Sequence, residues 1–115
     1  MKLFATFSFC LFIVLVLVSC RENHEMKDTY LDFYYKQTAC ADPWKTGSTD
    51  SLTLVNVVHY LDSLGLYIAG LNIVKDDNQE ICSACTCKTG KTIYVSTLKS
   101  DIMIAKYKAI GFREH

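Results

Sequence analysis

The strongest constraint on this chain is an apolar run at its amino terminus. Fifteen of residues 1–19 are hydrophobic, and Lys2 is the only charged residue among them. The run is shorter than the ~20 apolar residues that a membrane-spanning helix needs. A basic start, a short apolar run and small residues before a cleavage point are typical of a secretory signal. We therefore predict that residues 1–19 are removed on export; a permanent anchor helix is the alternative.

The end of this run carries a more specific pattern. Leu17-Val18-Ser19-Cys20 consists of an aliphatic residue, a β-branched residue, a small residue and a cysteine. In this segment the chain resembles the bacterial prolipoproteins. The resemblance implies that a diacylglycerol is attached to the Cys20 thiol, that the signal is cut before Cys20 and that the new amine is acylated. Arg21, rather than Asp, follows the cysteine. In lipoprotein families that are sorted by this position, Asp implies retention in the inner membrane, so the resemblance here favours the outer membrane. Plain secretion after ordinary cleavage is the alternative.

The residues that follow divide into a tether and one domain. Residues 21–28 read RENHEMKD, which is polar and has no apolar periodicity, so residues 20–28 are predicted to be a tether. Residues 29–115 are enough for a single small domain. The predicted partner is the membrane, through the acyl chains on Cys20. Twelve basic residues balance twelve acidic ones, and this lack of basic excess argues against a nucleic-acid partner.

Two segments of the predicted domain have the pattern of amphipathic helices. Thr49 or Asp50 can cap the start of the first, and Gly65 can take the left-handed position at its end. In the second segment, Ser100 can cap the start and Gly111 can take the left-handed position at the end. In the first segment, apolar residues recur at three- and four-residue steps at Leu54, Val57, Val58, Leu61 and Leu64. In the second segment, the residues on one side are Met103, Tyr107 and Ile110.

Three segments rich in aromatic and β-branched residues are predicted to be strands. They cover residues 30–36, 66–74 and 92–98. The resulting order is β–α–β–β–α. It predicts an α+β fold with a small antiparallel sheet of about three strands and two helices on one face. Residues 88–91 are predicted to form a polar turn, in which Gly90 supplies a positive φ.

Four cysteines belong to the predicted domain, because Cys10 leaves with the signal and Cys20 takes lipid. The four are Cys40, Cys82, Cys85 and Cys87. An even number in an exported domain predicts disulfides. A Cys85–Cys87 bond is disfavoured because its ring is very small. Two pairings remain. We favour Cys40–Cys85 with Cys82–Cys87 over Cys40–Cys87 with Cys82–Cys85; either one would staple two loops together.

The same cysteines allow two other interpretations. As thiolates, all four could hold zinc or copper(I), with His59 or His115 as an extra ligand. Cys82 and Cys85 form a C-x-x-C pair, which in redox proteins exchanges disulfides. Such pairs are activated at the start of a helix, whereas this one precedes a turn and a strand. The favoured interpretation therefore has no metal or other cofactor.

Two further features of the predicted domain are a tryptophan in the loop after Cys40 and a pair of adjacent aspartates. Trp44, in the Asp-Pro-Trp segment after Cys40, is predicted to be an exposed anchor of a binding surface. Asp76 and Asp77 are expected to be solvated turn residues, with a weak cation site as the alternative. No motif argues for catalysis. We therefore expect an envelope lipoprotein with a binding or structural role, and a metal-binding or thiol-redox protein is the alternative.

Overall fold

The structure, a computed structural model, describes residues 29–115. The predicted signal, the lipobox and the tether lie outside the described residues. The elements are β1 (Tyr30–Thr38), α1 (Asp50–Ser63), β2 (Gly70–Lys75), β3 (Lys88–Leu98), α2 (Asp101–Ala109) and β4 (Arg113–Glu114). The α+β class and the order of the first five elements are confirmed. No helix among these residues is long and apolar enough to cross a membrane.

The sheet has four antiparallel strands in the order β2-β3-β1-β4. β3 lies centrally and pairs with β1 over most of its length, with Phe33 opposite Val95 and Tyr35 opposite Ile93. The two-residue β4 pairs only with Phe33 and Tyr34. β4 is not among the predicted strands, because two residues are too few to show an alternating pattern.

One face of the sheet packs against both helices. Phe33, Ile93 and Val95 point to this face, since side chains alternate along a strand. The ring of Tyr107 from α2 stacks on Phe33, with 5.1 Å between the ring centroids. Helix α1 adds Val57 and Leu61 to the same cluster. These side chains form the hydrophobic core, and the opposite face of the sheet has no helix over it in the described part of the chain.

The helix ends follow the local signals in the sequence. The Thr49 side chain accepts a hydrogen bond from Leu52 N, and the Ser100 side chain accepts one from Met103 N. Gly65 and Gly111 have φ values of 69° and 98°. That conformation is strained for residues with a Cβ, so glycine is required at both helix ends.

The buried face of α1 differs from the predicted one. Val57 and Leu61 are buried as expected, but Val58 and Leu64 are 41% and 42% exposed. Thr53 is buried instead, at 1% exposure. Its hydroxyl donates to Thr49 O at 3.1 Å and accepts from the N–H of Gly47 at 3.0 Å. The loop before the helix therefore lies against this side of α1, which apolar periodicity alone does not reveal.

The third strand begins earlier than predicted. Residues 88–91 form the start of β3 rather than a turn, although Gly90 does have the expected positive φ, of 81°. Asp76 N donates to Gly90 O, and Glu80 N donates to Lys88 O at 2.9 Å. These bonds, made by the loop between β2 and β3, hold the early part of β3 extended.

We predict that Thr53→Val destabilises the fold by about 1–3 kcal/mol, although valine has nearly the same shape. The substitution leaves the half-buried Gly47 N–H without its acceptor. The free energy of unfolding, measured with denaturant, checks this. Thr86→Val at an exposed position is the control, with a change within about 0.5 kcal/mol. Equal effects of the two substitutions would contradict the role of the Thr53 hydroxyl.

Candidate functional site

One disulfide joins the loop after β1 to the loop before β3, and a second closes a short ring within the latter loop. Cys40 is bonded to Cys85, 45 residues away, and Cys82 is bonded to Cys87. This is the favoured pairing of the two that the sequence left open. Backbone bonds strengthen the junction, since Ala39 N donates to Cys87 O at 2.9 Å and Cys40 N donates to Cys85 O at 3.1 Å. The two loops thus form one stapled unit at the end of the sheet.

This pairing leaves the metal and redox hypotheses without free thiols. All four sulfurs are held in two disulfides, and the C-x-x-C residues Cys82 and Cys85 have different partners. Among residues 29–115, one group of potential ligand atoms lies close together: Glu80, Cys82 and Cys87. Two of its three members share a disulfide. His59 and His115 are not part of this group.

Trp44 does not form the exposed anchor that we expected. It is only 6% exposed and belongs to the hydrophobic core. Its ring lies 4.8 Å from that of Tyr35, 5.8 Å from that of Tyr60 and 6.0 Å from that of Phe112, measured between centroids. The stapled loop turns its aromatic residue inward, because burying a large ring stabilises the fold more than exposing it. The prediction of a Trp44 binding surface is therefore wrong.

Asp42 holds the same loop against β1. Its Oδ1 accepts from Thr38 N at 3.0 Å and from Thr38 Oγ1 at 2.7 Å. Burial, together with the Asp42 charge, raises the pKa of Tyr35 to about 12. Tyr35 therefore remains a neutral phenol at physiological pH.

A second cluster links β1 to the start of the loop after β2. The Lys36 ammonium lies 2.8 Å from Asp76 Oδ2 and 3.0 Å from Thr92 Oγ1. Thr92 Oγ1 also donates to Asp76 Oδ2, and Asn78 N donates to Asp76 Oδ1. Hydrogen bonds from Lys36, Thr92 and Asn78 hold the pKa of the Asp76 carboxyl well below its usual range. Asp76 is thus a paired structural carboxylate rather than a solvated turn residue.

A cleft of about 340 Å³ lies beside this cluster at the edge of the sheet. It is lined by Tyr34, Tyr35, Lys36, Lys88, Gly111 and Arg113. We name it the cationic cleft, because three of the six residues carry a positive charge. None of these three residues is a predicted site residue, since they lie far apart in the chain and belong to no motif.

The sheet face away from the helices carries aromatic residues. Tyr34 and Tyr94 are neighbours on adjacent strands, and their ring centroids are 6.5 Å apart. The His115 imidazole packs edge-on against both, at 6.2 Å from Tyr34 and 5.3 Å from Tyr94. His115, which we considered as a metal ligand, therefore contributes to this aromatic group.

Comparisons of the chain with protein-family models, with curated proteins and with solved structures found no match.

We predict that the two disulfides contribute unequally to stability. A cross-link that closes a longer loop removes more freedom from the unfolded chain, so Cys40→Ala/Cys85→Ala should cost about 4 kcal/mol. The matched variant Cys82→Ala/Cys87→Ala removes the same number of sulfurs from a short loop and should cost about 2 kcal/mol. Denaturant unfolding of the full chain measures both. Equal losses, or a larger loss for the short loop, would contradict this ranking.

We predict that Asp76→Asn lowers the melting temperature at neutral pH. The folded pKa of Asp76 lies below its value of about 3.9 in an unfolded chain. The contribution of ionised Asp76 to folding stability is therefore fully present above the unfolded pKa, and it is lost as the pH falls through the folded pKa. The difference in melting temperature between Asp76→Asn and wild type should therefore become smaller in acid. Asp77→Asn is the control, since Asp77 forms no ion pair within residues 29–115. A difference that is constant with pH would argue against the ionised pair.

Proposed function

We propose that this chain is a lipid-anchored lipoprotein of the bacterial cell envelope, whose disulfide-stapled domain has a binding role. The observation that carries the proposal is the pair of disulfides in a domain of this size. Disulfides form and persist in oxidising compartments outside the cytosol. The bonded cysteines therefore support export, which is the step that the apolar run and the motif ending at Cys20 would direct.

The position of the first strand is compatible with a membrane anchor. β1 begins at Tyr30, so nine residues, 21–29, lie between it and Cys20. Nine residues reach at most roughly 30 Å when fully extended. Two or three acyl chains on Cys20 would give stable anchoring, whereas one chain binds only marginally. The domain would then stand close to the lipid surface, and we favour the outer membrane because Arg21 follows the cysteine.

A binding role is favoured over a purely structural one by the cationic cleft. Its lining combines charged side chains with the rings of Tyr34 and Tyr35. Small-molecule sites join a few polar groups to apolar or aromatic walls in this way. The alternative functions need thiolates: a metal site would require all four domain cysteines reduced, and a redox site would require Cys82 and Cys85 to pair with each other.

The anchor is tested by lipid labelling of the full chain in a bacterial host fed with a clickable fatty acid. We expect wild type to incorporate the label and Cys20→Ser to lose it and to accumulate the uncleaved precursor. Cys10→Ser is the matched control, because Cys10 lies in the segment that would be removed; this variant should be labelled and cleaved like wild type. Unlabelled wild type, or label that survives Cys20→Ser, would contradict the anchor.

A further inference from the structure

The cationic cleft lies where the sheet edge loses its neighbouring strand. β4 pairs only with Phe33 and Tyr34, whereas β1 continues to Thr38. Beyond Tyr34, β1 therefore has no strand partner on this side among residues 29–115. The cleft occupies this gap, between Arg113 of β4 and Lys88 at the start of β3.

The charges around the cleft do not cancel. Lys36 is balanced by Asp76, with 2.8 Å between Nζ and Oδ2. Lys88 and Arg113 are both exposed, and neither forms an ion pair in the described part of the chain. Within residues 29–115, two positive charges at the cleft therefore remain without an ion-pair partner.

The acidic groups next to these two cations have other partners. Glu80 Oε2 accepts a hydrogen bond from the backbone N–H of Lys88, at 3.1 Å. Glu114, the neighbour of Arg113, forms an ion pair with Lys108 at 3.4 Å. The ammonium of Lys88 and the guanidinium of Arg113 are thus both available to a ligand.

We propose that the cationic cleft binds the phosphate group of a small ligand, with Lys88 and Arg113 as its principal contacts. A phosphate monoester carries nearly two negative charges at neutral pH, which matches the two uncompensated cations. The planar guanidinium of Arg113 suits bidentate binding of such a group, and Lys88 adds a point charge. This proposal rests on the binding role proposed above and gives it a site and a ligand class.

The walls of the cleft suit the rest of such a ligand. Its volume of about 340 Å³ is that of a small-molecule site, at the lower end of the usual range. Tyr34 and Tyr35 present aromatic surface, and Tyr35, whose pKa is raised to about 12, is neutral and does not repel an anion. Gly111 leaves room at one wall of the cleft, since a Cβ at this position would lie 3.3 Å from a carbon of the Tyr35 ring.

The test is isothermal titration of the full chain in non-ionic detergent with inorganic phosphate, at ionic strength held constant with chloride. We expect saturable binding by wild type. Lys88→Gln/Arg113→Gln should weaken it about tenfold or more. Lys75→Gln is the control, because Lys75 is an exposed cation on β2, the opposite edge strand, without an ion pair among residues 29–115; the phosphate affinity of this variant should equal that of wild type.

Absence of saturable phosphate binding, or equal affinities for Lys88→Gln/Arg113→Gln and wild type, would overturn the site. Unchanged melting temperatures show that the variants are folded. The result is independent of lipid labelling at Cys20, so failure of the cleft and failure of the anchor are distinguishable.

Two sources could supply the phosphate: a soluble phosphate monoester or the head group of a membrane phospholipid. Competition of inorganic phosphate with glycerol phosphate tests the first. Competition with a short-chain phosphatidylglycerol, added in the same non-ionic detergent, tests the second. We expect the monoester to compete more strongly, because its charge matches both cations. Stronger competition by the phospholipid would assign the same site to the head group. Failure of both competitors would overturn a phosphate-ligand site.

Discussion

The bond between Cys40 and Cys85 is the constraint on which the stapled end of the sheet depends. It joins residues 45 positions apart, and backbone hydrogen bonds from Ala39 and Cys40 run alongside it. Because the loop is fixed there, Trp44 can lie against Tyr35 and Phe112 as part of the core. A domain of this size buries limited apolar surface, so a covalent link at this junction compensates for a small core.

Local chemistry made much of the fold predictable. Both helices begin directly after the residues whose hydroxyls cap them, Thr49 and Ser100, and both are followed by a glycine with positive φ. These features depend on neighbours within four residues, which a single sequence contains. The errors occurred where distant segments meet. Thr53 is buried because a preceding loop donates to its hydroxyl, and β4 exists only because β1 offers it an edge.

The candidate site also has features that the local sequence predicts and features that depend on contacts between distant segments. Ring size along the chain excluded one cysteine pairing, and the favoured one of the remaining two is present. The exposure of Trp44 was predicted wrongly, since composition does not tell which way a loop turns its side chain. The Lys36–Asp76 pair spans 40 residues, and Lys88 and Arg113 meet only through the sheet order β3-β1-β4. Such contacts are products of tertiary structure and leave no spacing signal.

The short β4 also affects how copies of this protein behave towards one another. An uncovered strand edge is a template for pairing with a second chain, which is a common start of aggregation. Here β4 covers part of the β1 edge, a lysine lies in the remainder and the register shifts between Lys36 and Thr38. Charge and irregular register both oppose strand-to-strand association. At high local concentration, this edge would help to keep neighbouring molecules apart.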